Sequence, residues 1–265
     1  KIQSVYESIH IKMTKLDDGE ALADIDPFTV FGIFNKGISD SNRIVILSGF
    51  AKAFGVTSKI PDHFDGIPVL NNMNASFVWL SNDPENGVHD IDNLWALFTA
   101  ALQYADDQTP DHRNAFITTF DKVKDLKGIR WKLTMGLYWA RPLAYLNLDS
   151  RNRWFLENPK NITENCVTAI KGLSALPTGA AYLSICEIVT EALLNGKYPY
   201  ANFPELSYYS WMTPKHTVQT SALEALQCSI MRCADALRSL KCNPALRAKA
   251  FGNIARHWQT PFSTG

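Results

Sequence analysis

The sequence predicts a mainly α protein, a multi-helix domain with at most a small β element. Apolar residues recur at helical spacing through most of the 265-residue chain, and strict alternation is rare. Ser or Asp repeatedly precedes those runs, where a side-chain oxygen can cap the first free N–H groups. Only Phe77-Val-Trp-Leu80 reads as a strand, and it is short.

The elements follow in order. Val5, Ile9 and Met13, with Tyr6 beside them, open the chain as a short helix. Asp26 precedes Pro27, so the proline takes the first helical position after an Asp cap, with Phe28, Phe31, Ile33 and Phe34 on the apolar side. Ser39 or Asp40 caps the next helix, which runs through Ile44, Leu47, Phe50 and Phe54 to a stop at Gly55. Pro61, Asp65-Gly66, Pro68 and Asn71-Asn72 make 56–74 a loop, and a turn over Asp83–Gly87 follows the strand.

Asp90 or Asp92 then caps a helix over Asn93–Tyr104, and Asp111 caps one carrying Phe116 and Phe120. Trp131–Trp139 forms a third helix before Pro142, and Asp149 caps a fourth through Trp154 and Phe155. Helices over Ile162–Leu173 and Thr178–Leu194 precede an aromatic, proline-punctuated segment, Tyr198–Trp211. Val218–Leu240 and Pro244–Trp258 complete the helical set. The expected division is a helical domain over 1–211 and a helical extension over 212–265.

Composition narrows the function classes. The 26 Lys+Arg balance 26 Asp+Glu, which excludes a polybasic nucleic-acid coat, an acidic tail and a membrane-surface peptide. No apolar run approaches the roughly 18–20 residues a membrane helix needs, and no signal peptide is legible. Five cysteines (166, 186, 228, 233 and 242) form no CxxC, so they read as reduced thiols of a cytoplasmic protein. The sequons at Asn74 and Asn161 are then coincidental. Neither phosphate-cradling glycine motif occurs, nor the GxSxG or HExxH of familiar hydrolases, and the six His are scattered. No metal site and no cofactor are expected.

The informative unit lies between Leu126 and Arg153. It reads as a helix end, a tight turn at Gly128, a second helix, a connection at Pro142 and an apolar run ending in the Asp149 cap. Backbone N–H groups at such a turn can face a phosphate. Lys127, Arg130, Lys132, Arg151 and Arg153 place five cations around it, the local excess that a phosphate-contacting face needs. Surface pairing with Asp121, Asp125 and Glu157 is the alternative use of the same charges.

This unit resembles the helix–hairpin–helix core of DNA glycosylases. Lys132 falls on that family's Lys position and Asp149, seventeen residues on, falls on its Asp position, while Arg130 occupies the second hairpin glycine. A longer resemblance is carried by Asp26-Pro-Phe-Thr-Val-Phe-Gly-Ile-Phe-Asn-Lys-Gly37, Phe64-Asp-Gly-Ile-Pro-Val-Leu-Asn-Asn72 and Asp90-Ile-Asp-Asn-Leu-Trp95. Trp131–Trp139, Leu148–Arg153 and Phe203–Ser207 extend it. These segments resemble the region preceding the AAA+ motor in modification-dependent bacterial restriction proteins of the McrB type.

The longer resemblance implies a DNA-binding specificity domain of a restriction or phage-defence system, with a separate AAA+ GTPase motor and nuclease subunit as partners. Neither motor nor nuclease motif is in the chain, so a recognition domain rather than an enzyme is expected. Double-stranded DNA would lie on Lys127, Gly128, Arg130, Lys132, Arg151 and Arg153. A modified or flipped base would be read by Tyr138, Trp139, Asp149, Asn71 and Asn72. Trp131 and Tyr138 share a helix face and Trp139 lies on its edge. Two other readings use the same chain. One is a glycosylase/lyase with Lys132 as Schiff-base nucleophile and Asp149 positioning it. The other is a non-catalytic protein-interaction domain docking through Tyr198–Trp211.

Overall fold

The computed structural model describes residues 1–13, 24–72, 75–78 and 84–214, the side chains of 84–88 aside. The chain divides after Thr213, and the described helices belong to the unit before that division. The fold is mainly α, with ten helices among the described residues. They are α1 (Ile2–Ser8), α2 (Pro27–Gly32), α3 (Asp40–Phe54), α4 (Pro84–Asp106), α5 (Pro110–Val123), α6 (Lys132–Ala140), α7 (Ser150–Leu156), α8 (Glu164–Ile170), α9 (Gly179–Leu194) and α10 (Phe203–Met212). None is long and apolar enough to cross a membrane.

Capping residues set most of the helix starts. Asp26, Ser39, Asp149 and Thr178 each accept a hydrogen bond from a backbone N–H in the first turn of the helix they precede, and Gly55 closes α3 in the left-handed conformation. Other boundaries differ from expectation. Helix α1 stops at Ser8 because His10 turns to a positive φ of 56°, leaving Ile9 and Met13 outside it. The expected turn at Asp83–Gly87 is helical from Pro84 onward, since a proline at the first position sacrifices no helical hydrogen bond. Thr109, not Asp111, caps α5, with Pro110 at its first position.

Within Tyr198–Trp211, α10 begins at Phe203. Asn202 accepts from the Glu205 N–H at 2.9 Å, and Glu205 Oε2 accepts from the Ala201 N–H at 2.8 Å. That is a reciprocal capping box, with Pro204 harmless in the first turn. The strand expected at Phe77–Leu80 lies only partly within the described residues, and Phe77 and Val78 form none. The β element present is an isolated parallel bridge between Lys36 and Leu70. The helices expected at Val218–Leu240 and Pro244–Trp258 lie outside the described residues.

Two apolar clusters hold the unit together. The smaller joins Val5 and Tyr6 of α1 to Ile46 and Phe50 of α3 and to Ile33 and Phe34. The larger centres on Phe116, Phe120, Tyr145 and Tyr182, all fully buried, with Phe116–Tyr145 and Phe120–Tyr182 ring centroids 5.3 Å apart. Each such ring stabilises the fold by about 1.5–3 kcal/mol through burial. Both tyrosine hydroxyls are satisfied, Tyr145 donating to Ala101 O and Tyr182 to Leu146 O. Helix α2 lies against α6, where a Cβ on Gly136 would sit 2.5 Å from the Phe28 ring. Cys166 and Cys186 are buried free thiols.

Candidate functional site

The turn between α5 and α6 is built around Ile129. Its side chain is fully buried, and its N–H bonds Leu126 O at 3.1 Å, so the residues on either side must bend back sharply. Gly128 does so with φ +84° and Arg130 with φ +41°. Glycine adopts that conformation freely, whereas arginine holds it at a cost that the buried Ile129 offsets. Nothing lies within 4 Å of where a Cβ on Gly128 would stand, so the turn faces open space. Lys127, Gly128 and Arg130 are exposed. The Lys127 and Arg130 side chains make no hydrogen bond or ion pair with the described residues.

The other three expected phosphate contacts turn inward. Lys132 Nζ donates to Ser76 O at 2.5 Å and sits 4.9 Å from the Phe77 ring centroid. Burial pushes its amine down to about 8, with the Asp26 carboxylate opposing. Asp26 is only 1% exposed and accepts from Thr29 N at 2.8 Å and Thr29 Oγ1 at 2.5 Å. Burial raises its carboxyl above the ordinary carboxylate range, opposed by hydrogen bonds from Thr29 and Val78 and by Lys132. Thr29 Oγ1 in turn accepts from Phe77 N at 2.7 Å. The cluster pins 76–78 between α2 and α6.

Arg151 Nε donates to Ser210 O at 2.7 Å, and its terminal nitrogen donates to Trp211 O at 3.1 Å and to Thr213 O. It therefore closes the C-terminal end of α10, where helix carbonyls lack partners and a cation is favoured. Its guanidinium also lies 4.8 Å from the Trp154 ring centroid. The Arg153 guanidinium stacks 3.7 Å from the Trp131 centroid and donates to Leu173 O at 3.4 Å. These two arginines join α7 to α10 and to the turn before α6. Of the six residues expected on DNA, Lys127, Gly128 and Arg130 share one exposed turn, while Lys132, Arg151 and Arg153 hold internal contacts.

The residues expected to read a base divide similarly. Tyr138 is buried, hydrogen-bonds with Ser207 and is pushed up to about 12 by burial, Ser207 opposing and Asp149 adding to the rise. Asp149 accepts from Arg151 N and Asn152 N, both at 2.8 Å, and from Asn147 Nδ2 at 2.9 Å. Asn152 Nδ2 donates to Asn147 O, and Ser207 Oγ donates to Gly66 O at 3.0 Å. Tyr138 and Asp149 thus belong to one polar net that ties α6, α7 and α10 to the 64–70 loop. That loop reaches α10 closely at Gly66 (φ +75°), where a Cβ would stand 2.7 Å from Tyr208 Cα.

Trp139 Nε1 donates to Pro68 O at 2.9 Å, and its ring meets Phe77 edge-on. Asn72 Nδ2 donates to Gly37 O at 3.2 Å, beside the exposed Asn71. The carboxylate acting on Lys132 is Asp26, whereas Asp149 acts on Tyr138. Sequence reading missed Asp26 as more than a cap, and it missed Asn147, Asn152 and Ser207 entirely. The signal for Ser207 was the Asn202-x-x-Glu205 box, which places it on a helix. Among the described residues no group of three His, Cys, Asp or Glu is placed to hold a metal ion.

Fold and site together define a mainly helical domain with an exposed, cation-bearing glycine turn between two helices and a buried polar net behind it. The chain belongs to the family described as domain of unknown function DUF8425, which it matches over residues 2–213. No curated protein and no solved structure matches it.

Proposed function

We propose that this chain is a DNA-binding specificity domain of a restriction or phage-defence system, with no motor or nuclease of its own. The α5–α6 turn holds the duplex backbone, and a modified or flipped base is read nearby. The observation that carries the reading is the paired positive φ at Gly128 and Arg130 around the buried Ile129. In the helix–hairpin–helix units this segment resembles, a second glycine stands where Arg130 does. Arg130 keeps the backbone conformation a glycine serves there and adds a cation. Backbone amides and two free cations at one exposed turn suit phosphate oxygens, which position a duplex without specifying its sequence.

Base discrimination would come from the loop carrying Asn71 and Asn72, which the net around Tyr138 and Asp149 holds in place from behind. A motor and a nuclease would be the AAA+ GTPase and the nuclease subunit of the parent system. Charge reversal tests the turn directly. K127E/R130E should weaken binding to duplex DNA and flatten its salt dependence by roughly 2 in log–log slope, about 0.9 for each phosphate no longer neutralised. Both side chains are exposed, so melting temperature should hold. Unchanged affinity in a folded variant would remove the turn from the interface.

The second reading of the same residues is base excision through a Lys132 Schiff base, which would require the amine to leave Ser76 O. Borohydride trapping on a damaged duplex separates the two. A covalent adduct lost in K132M would establish excision, and the specificity-domain reading expects no adduct.

A further inference from the structure

The zero net charge of the chain conceals a division. Residues 1–213 hold 19 Lys and Arg against 24 Asp and Glu, a net of −5, and residues 214–265 hold 7 against 2, a net of +5. The structural division after Thr213 and the end of the family match at 213 both fall at this change of sign. The described unit also spends several of its cations on internal contacts or surface pairs. Arg43, 4% exposed, gives its guanidinium to the Phe34 and Lys36 carbonyls. Lys132 and Arg151 are likewise spent on backbone carbonyls, and Arg113 and Arg141 are matched to Glu187 and Asp106. A unit with a net charge of −5 attracts a polyanion weakly.

The rest of the chain has the opposite character. Arg232, Arg238, Lys241, Arg247, Lys249 and Arg256 share their 25-residue span with a single carboxylate, Asp235, and no Asp or Glu follows it. We infer that residues 214–265 supply most of the phosphate neutralisation when this chain binds duplex DNA, while the α5–α6 turn fixes where the folded unit sits on it. The inference rests on the proposed DNA-binding function. It separates two tasks: a sequence-blind attraction carried outside the family domain, and base reading carried within it.

Salt-dependent binding of the full chain to a short unmodified DNA duplex, followed by anisotropy between about 50 and 200 mM salt, tests this division. R232Q/R238Q/K241Q and R247Q/K249Q/R256Q should each lower the log–log slope by about 2–3, at about 0.9 per neutralised phosphate, and K127Q/R130Q by less. Two independent triples guard against one that misfolds. R232K/R238K/K241R, which keeps the charge, should keep the slope. Both triples leaving the slope intact while the wild-type chain binds steeply would overturn this inference and leave the DNA-binding reading standing. Slopes lost on an RNA duplex but kept on DNA would also overturn it. A wild-type chain with no salt-dependent binding would overturn the DNA-binding reading and this inference together.

Discussion

Asp26→Ala is expected to destabilise the described unit by about 3–5 kcal/mol, at about 1–3 kcal/mol for each buried donor left without its acceptor. The carboxylate caps α2, accepts from the Thr29 hydroxyl and N–H and from Val78 N–H, and faces the Lys132 amine. Its loss orphans those donors and leaves a largely buried cation without its counter-charge. Part of that cost lies in the leftover Lys132 charge, so D26N/K132M should recover some of it. Urea unfolding of D26N, K132M and D26N/K132M closes the cycle. A loss below about 1 kcal/mol for D26A would reduce Asp26 to an ordinary helix cap.

The same pair has a pH signature. Below pH 8 the Lys132 amine is charged in both folded and unfolded chains, and its burial counts against folding. Between about 8 and the ordinary 10.5, the folded chain has released this proton while the unfolded chain keeps it. Stability contributed by this group therefore rises with pH across that window. K132M should lack the rise, and equal pH slopes in the two proteins would show that the amine is solvated.

Arg151→Met is expected to cost about 2–3 kcal/mol, because three carbonyls at the end of α10 lose one charged donor. Reversal at Arg151 and Arg153 would cost more by placing carboxylates against those carbonyls and against the Trp131 face. From sequence, both arginines belong to the phosphate face, and their reversal should spare folding. The structure assigns them to packing between α7, α10 and the turn. Thermal melting decides between these outcomes. An unchanged melting temperature with reduced DNA affinity would return Arg151 and Arg153 to the interface.

What was legible in the sequence was local. Asp26, Ser39 and Asp149 cap where they stand because a cap needs only a short polar side chain and free amides within three residues. Gly55 and Gly128 mark turns for an equally local reason. Two prolines misled. Pro84 and Pro204 lie at helix starts, where proline is tolerated, yet they read as breaks in text rich in turn residues.

The site was legible only as a set of charges. Summing cations over 127–153 cannot show that Arg151 meets carbonyls 59–62 residues away or that Lys132 meets Ser76, 56 residues back. Tyr138 and Asp149 do converge, but through Ser207 on α10, a helix not evident beforehand. Arg130 is the instructive case. A residue that spoils a glycine motif on paper holds the glycine's backbone angle in the fold.

The most direct test of the DNA-binding reading is equilibrium binding of the full chain to a matched set of duplexes, unmodified or carrying one modified base, across a salt series. Affinity that falls steeply with salt for every duplex, with at least one modified duplex held more tightly than its unmodified counterpart, is the expected result. A flat salt response, or equal affinity for every duplex in the set, would contradict it.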